Sequence, residues 1–227
     1  MSSNDHAELR HRIVESANRL ICNGALSRNN HGNMSIRIPG TDEIIMTGSS
    51  LQGLSPEDLA RINLVGEVLD GRVDPASNEI IEMHTAVYRS RPDVGSVVHT
   101  HSPHATAYAI AAKPMECFSS SLARLGIINP IPVTKFGPRG SDLAVRSIEE
   151  TLHANPDCKA LLLGNHGILT FDVAVEQATH IVFAMEENAE VSILASLIGQ
   201  PKVISTELIR AATDRRQEFE QLGTVAR

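Results

Sequence analysis

Three histidines in this 227-residue chain have the type and spacing for metal chemistry. His99 and His101 form a His-x-His pair within Val97-Val98-His99-Thr100-His101-Ser102. Alternate side chains of an extended strand share one face, so both imidazoles reach one point. Two converging imidazoles are half of a tetrahedral metal site. His166 is the third candidate, in Leu163-Gly164-Asn165-His166-Gly167, where an apolar run from Ala160 gives way to a polar turn. Glycine close on either side suits backbone that must approach a site. Three imidazoles and an open position make a catalytic rather than a structural centre. Such a donor set suits Zn²⁺ best, with Mn²⁺, Fe²⁺ and Co²⁺ as the other divalent choices. A lone histidine is more often a surface or core group than a ligand, and spacing alone does not decide between the two.

The elements that must position these residues are legible from periodicity. Leu9 to Ile21 follows helical spacing and stops at Gly24. Met34 to Ile38 alternates as a strand, and Glu43 to Thr47 pairs back across the Pro39-Gly40-Thr41-Asp42 turn. Ser55-Pro56-Glu57-Asp58 has the composition of a helix start, and Ile62 to Leu69 reads as a further strand. A helix is predicted over Glu79 to Arg91, ending before Pro92, and the His-x-His strand over Gly95 to His101. Ser102-Pro103 opens a short Ala-rich helix, and Ser141 to Ala154 is amphipathic. Lys159 to Phe171 reads as two short strands around the His166 turn. Asp172 is read as the cap of a long helix to about Ile198, and Ser205 to Leu222 as a charged helix on the surface or on a neighbour. No repeat or linker divides the chain, so residues 1–227 read as one α/β domain, without the strict βαβ rhythm of a doubly wound fold.

Bulk properties narrow the function classes. A net charge of −7 and the lack of a Lys/Arg run argue against nucleic-acid binding. Trp is absent and Tyr88 and Tyr108 are the sole tyrosines, which leaves no aromatic platform for bases. Cys22, Cys117 and Cys158 are scattered and odd in number, which predicts reduced thiols and a cytoplasmic protein. The N-terminal residues show no signal pattern, and no run is long enough to span a membrane.

Six fragments in fixed order carry a family resemblance. They are His-Gly-Asn-Met-Ser-Ile-Arg (31–37), Met-Thr-Gly-Ser-Ser (46–50), Ser-Asn-Glu (77–79), Met-His-x4-Arg-Ser-Arg-Pro-Asp (83–93), Val-Val-His-Thr-His-Ser (97–102) and Gly-Asn-His-Gly (164–167). Together they resemble the class II aldolase/adducin superfamily, in its zinc-dependent, fuculose-phosphate aldolase-like group, over about Ala7 to Gly199. The resemblance implies a three-layer α-β-α fold around a mixed, mostly antiparallel sheet. It implies that His99, His101 and His166 bind zinc, and that Glu79 ligates the free metal and then serves as acid/base. It places Asn33, Thr47, Gly48, Ser77 and Asn78 on the loops that hold a substrate phosphate. These residue types offer amide, hydroxyl and backbone donors to an anion without bulk.

The implied activity is metal-dependent carbon–carbon cleavage of a small sugar phosphate, giving dihydroxyacetone phosphate and an aldehyde. Decarboxylation of a 3-oxo-tetronate phosphate or a hydroxylated aromatic dicarboxylate is the alternative. Epimerase or dehydratase chemistry and a non-catalytic adducin-like domain complete the alternatives. Members place the glutamate four residues before the Met-His histidine, whereas Glu79 lies five before His84, so one extra residue sits in Ile80-Ile81-Glu82. Glu79 and Glu82 also both read as first-turn acids favoured by a helix dipole. Members use tyrosines from a mobile loop and the C-terminal tail as proton donors, but none follows Tyr108 here. His84 and His104 read as supporting residues behind the ligands. His31 either lines the pocket or is a solvated loop residue, and Arg139 either meets an anion or is a surface-turn arginine. The resemblance further implies a homotetramer with sites near subunit interfaces. The apolar positions around much of the 172–198 helix demand partners on more than one side.

Overall fold

Strand alternation divides the interior into two cores, one on each face of a single sheet. The computed structural model describes residues 3–75 and 78–222. Strands β1 (Gly32–Arg37), β2 (Glu43–Thr47), β3 (Leu59–Asn63), β4 (Val68–Asp70), β5 (Ser96–Thr100), β6 (Ala160–Leu163) and β7 (Gly167–Asp172) form this sheet. Their order is β4-β3-β2-β1-β5-β7-β6. Every ladder between these strands is antiparallel, and the isolated Val133–Leu162 bridge adds a parallel contact. Met34, Ile36, Val98, Leu162 and Ile168 point to one core, while Ile44, Met46, Val97, Leu161 and Leu169 point to the other. Both faces of the central strands are buried, which explains why β6 and the first half of β7 read as apolar runs.

Helices complete the three layers. The first face is covered by α1 (Ser3–Cys22), α3 (Pro103–Ile110), α4 (Ser120–Ala123) and α6 (Val175–Ile198). The second is covered by α2 (Asn78–Ser90) and α5 (Asp142–Ala154), through Ile80, Met83, Val87, Ile148 and Leu152. Arg12 fastens α1 to α6 with two guanidinium hydrogen bonds to Glu176, at 2.8 and 2.7 Å. The tail helix α7 (Thr206–Gln221) docks through buried Ile209, and Thr213 Oγ1 donates to the Ala123 carbonyl at 3.2 Å.

Three local expectations are corrected. The strand expected over Ile62 to Leu69 is two strands, because Asn63 Oδ1 accepts from the Val65 and Glu67 amides and turns the chain. Ser55 precedes only a 3-10 turn (Pro56–Asp58), which leads directly into β3 at Leu59. Asp172 ends β7 and pairs with Lys159 at 2.9 Å, while the cap of α6 is Ala174, whose amide donates to Gln177 Oε1. The partners demanded by apolar α6 lie largely within the chain: α1, α3, α4, β5 and β7. Its last turns expose Leu194, Leu197 and Ile198.

Candidate metal centre

The three candidate ligands converge where β5 runs out beside the β6–β7 turn. His99 is the penultimate residue of β5, and His101 follows the strand's last residue, Thr100. Antiparallel pairing sets Thr100 opposite Ile168 and Leu163 opposite Gly167, which brings the intervening His166 alongside. One ring nitrogen from each of His99, His101 and His166 lies within 4.8 Å of the others. His99 Nδ1 is 2.8 Å from the Ile168 carbonyl, so Nδ1 carries the proton and Nε2 keeps its lone pair. That Nε2 is 3.0 Å from His101 Nε2.

Backbone constraints hold the arrangement. Asn165 adopts φ 55, a left-handed conformation that asparagine tolerates, and so reverses the chain beside His166. Gly167 has no room for a side chain, since a Cβ there would lie 2.5 Å from the Thr100 carbonyl oxygen. Burial pushes the imidazolium pKa of His99 well below 6.5, reinforced by His166 and His101. Burial takes His101 down to about 4, and lowers His166 with help from Arg139. Neutral imidazoles with free lone pairs are the form that binds a divalent cation, so these residues fit one.

Glu79 lines a cavity together with His166 and Arg139. It occupies the first turn of α2, and its Oε2 meets Arg139 Nε at 3.3 Å. Gly140, at φ +72, lets the 137–140 loop close on the glutamate; a Cβ there would come within 2.8 Å of Glu79 Cβ. Glu82 is exposed and is not among the residues lining this cavity. Among the described residues, the compact nitrogen cluster comprises the three histidines without Glu79. Arg139 therefore sits in the cavity wall against the carboxylate.

The residues assigned to phosphate divide. Asn33 pairs with His99 across the β1–β5 ladder and is nearly buried. Thr47 Oγ1 accepts the Met34 amide at 3.1 Å. The Gly48 amide donates to the Asp58 carbonyl, and its own carbonyl accepts from Asp74. A side chain at position 48 would collide with the Arg72 carbonyl. Ser77 and the side chain of Asn78 lie outside the described residues.

The supporting histidines have separate jobs. His31 stacks on His101, with ring centroids 5.5 Å apart and planes 19° apart. His84 is fully buried between Asn33 and Ser35. His104 belongs to a clamp on Glu186 of α6, whose carboxylate accepts the His104 and Ala105 amides and contacts His104 Nδ1. Sequence reasoning missed Glu186; the available signal was an acid directly at the end of the apolar Val182-Phe183-Ala184-Met185 run. Neither tyrosine is free for proton donation, because Tyr108 bonds Ser192 at 2.6 Å and Tyr88 is buried on Ser35.

Comparison with known proteins shows the family. The family model for the class II aldolase and adducin N-terminal domain matches residues 12–193. The chain is 31% identical over 198 residues to a 5-deoxy-D-ribulose 1-phosphate aldolase of Bacillus thuringiensis serovar kurstaki, covering 86% of this chain and 89% of that protein. It is 30% identical over 213 residues to a 5-methylthioribulose-1-phosphate/5-deoxyribulose-1-phosphate aldolase of Rhodospirillum rubrum, covering 93% and 92%. An L-fuculose 1-phosphate aldolase structure shares the fold, with a TM-score of 0.81 at 21% identity over 96% of this chain and 98% of that one. The chain belongs to the class II aldolase and adducin family, and is an enzyme of the class II aldolase type.

Proposed function

We propose that this enzyme cleaves a ketose 1-phosphate by retro-aldol chemistry, releasing dihydroxyacetone phosphate and an aldehyde, with a 5-deoxypentulose 1-phosphate as the favoured substrate type. The observation that carries this reading is a triad of neutral imidazoles beside a cavity holding one carboxylate. Beside the polar Lys135 and Arg139, the cavity has an apolar stretch formed by Ile80, Met83, Val145, Ile148 and Leu163, which suits a deoxygenated sugar terminus. Two relatives described above act on 5-deoxyribulose 1-phosphate by name.

His99, His101 and His166 would hold the metal, with Zn²⁺ the best match to three imidazoles. When bound, a divalent ion supplies Lewis-acid stabilisation of negative charge on substrate oxygens as the carbon–carbon bond breaks. Glu79 takes up the hydroxyl proton released as the aldehyde forms and delivers it to the adjacent carbon. Arg139 holds the resting Glu79 carboxylate by charge. Asn33 meets the substrate phosphate, in the group with Thr47, Gly48, Ser77 and Asn78 that the family resemblance assigns to it.

The enzyme works as a homotetramer with sites near subunit boundaries. The support is the apolar end of α6, where Leu194, Leu197 and Ile198 face solvent in the single chain. Three free cysteines support a reducing, cytoplasmic setting. A second reading, decarboxylation, is favoured by Arg139, since a guanidinium in the cavity suits a substrate carboxylate. Metal analysis joined to parallel assays for dihydroxyacetone phosphate and carbon dioxide release decides between them. Carbon dioxide without dihydroxyacetone phosphate would overturn the aldolase reading.

A further inference from the structure

A buried polar chain runs from α2 to the edge of the metal centre. His84 Nε2 lies 2.5 Å from Asn33 Oδ1, and His84 Nδ1 lies 2.7 Å from Ser35 Oγ. Ser35 Oγ in turn lies 2.9 Å from the Tyr88 hydroxyl. His84 and Ser35 are completely buried, and Tyr88 nearly so. Asn33 and Ser35 alternate on β1 and therefore share the α2-facing side of the sheet. On that side Asn33 stands opposite His99.

We propose that His84 is a positioning residue that fixes the orientation of the Asn33 carboxamide, so that Asn33 turns donor hydrogens alone toward the anionic group of the substrate. This rests on the sugar-phosphate reading above. Each link admits one direction of donation. Burial keeps the Tyr88 phenol protonated and His84 neutral, with the imidazole pKa pushed down to about 3. A neutral imidazole has one donor and one acceptor. Asn33 Oδ1, which can only accept, faces His84 Nε2, so Nε2 carries the imidazole's one proton and Nδ1 is its acceptor. The phenol's own proton is then given to Ser35 Oγ, Ser35 gives its proton to His84 Nδ1, and His84 Nε2–H donates to Asn33 Oδ1. With Oδ1 held in this way, the Nδ2 hydrogens are the end of Asn33 left for a ligand. Reversed, the chain would point carbonyl lone pairs at the ligand and repel an anion. Asn33 cannot choose this orientation itself, because its two ends have the same shape.

The test uses metal-loaded enzyme, with inorganic phosphate as competitive inhibitor and 5-deoxyribulose 1-phosphate as substrate. His84→Leu is expected to weaken phosphate inhibition and raise KM by about ten- to a hundredfold, the worth of one hydrogen bond to a charged group. Its kcat should stay within about twofold and its metal content should be unchanged. His84→Gln should recover most of the loss, since an amide can donate to Asn33 and accept from Ser35. In an Asn33→Ala background, His84→Leu should have no further effect on phosphate inhibition. Asn33→Asp keeps the side-chain size, its folding is checked by circular dichroism, and it should abolish phosphate inhibition, which keeps the test open should His84→Leu fail to fold. Additive effects of His84→Leu and Asn33→Ala, or wild-type phosphate inhibition in Asn33→Asp, overturn the proposal alone. A wild-type enzyme insensitive to phosphate and inactive on the ketose phosphate overturns the sugar-phosphate reading, and this inference with it.

Discussion

Adding one methyl group at Gly167 should damage the metal centre more than it damages the fold. The added Cβ would stand 2.5 Å from the Thr100 carbonyl oxygen, 3.1 Å from His101 Cδ2 and 3.2 Å from His99 Cε1. The two ring contacts are tight, but the carbonyl contact cannot persist. Ordinary carbon–oxygen contacts begin near 3.3 Å, so Thr100 must retreat by roughly 0.8 Å. Thr100 lies between His99 and His101 in the chain, so both ligands move with it. Losing the support of correctly held ligands typically costs 10–100-fold in metal affinity, or about 1.4–2.8 kcal/mol. Overpacking costs the fold a further ~1–3 kcal/mol, partly offset by ~0.4–1 kcal/mol because alanine restricts the unfolded chain. Chelator competition gives the affinity, and thermal unfolding of the metal-free and metal-loaded forms gives the stability. Gly199→Ala is the control, since a Cβ there meets nothing within 4 Å, and it should leave metal affinity unchanged. A Gly167→Ala enzyme that binds metal as tightly as wild type would refute the reasoning.

Other perturbations separate the roles of the site and the scaffold. His101→Ala should strip the metal and activity while keeping the circular dichroism of the sheet, since position 101 lies just outside β5; full metal occupancy would remove His101 from the site. Glu79→Gln should retain metal yet lose turnover by about 10²–10⁴-fold, whereas exposed Glu82→Gln should turn over normally, as steady-state assays of both will establish. Glu176→Gln should cost roughly 0.5 kcal/mol, a value discounted for partial exposure of the pair with Arg12. Arg12 lowers the Glu176 pKa below 4.5, so that stabilisation is present above this value and is lost as pH falls through the folded-state pKa; denaturant midpoints of wild type and variant should therefore converge in acid. Leu197→Asp, at a residue 79% exposed, should reduce the mass in light scattering to that of one chain, and an unchanged mass would exclude this face from the assembly.

Legibility of the sequence tracked how local each signal was. The hairpin of β1 and β2 could be read because alternation and a Pro-Gly turn lie within a few residues of one another. The His-x-His pair could be read because strand geometry converts spacing into direction. The break between β3 and β4 was missed although Gly66, at φ 100, lies in it, because apolar Leu64 and Val65 continue the strand pattern through the turn that the Asn63 side chain holds. Arg139 could not be placed on Glu79 because that contact joins residues brought together by α2 and α5 through tertiary packing. The fate of His104 depended on Glu186 in the same way. Family resemblance named Thr47 and Gly48, but their hydroxyl and amide are spent on neighbouring backbone through tertiary pairing that local sequence does not encode.

The position of β5 between β1 and β7 also dictates when the centre can exist during folding. Its ladder to β1 closes a long excursion through β2, β3, β4 and α2, and its ladder to β7 closes another through α3, α4 and α5. Such distant pairings bear a large loop-closure entropy before their contacts form. On a ribosome, β7 emerges after β1 to β6, and the third imidazole emerges immediately before it. The complete three-imidazole site therefore cannot template the pairing of β1, β2, β3 and β5. The strands must find each other first, and the ion is captured by a nearly finished protein.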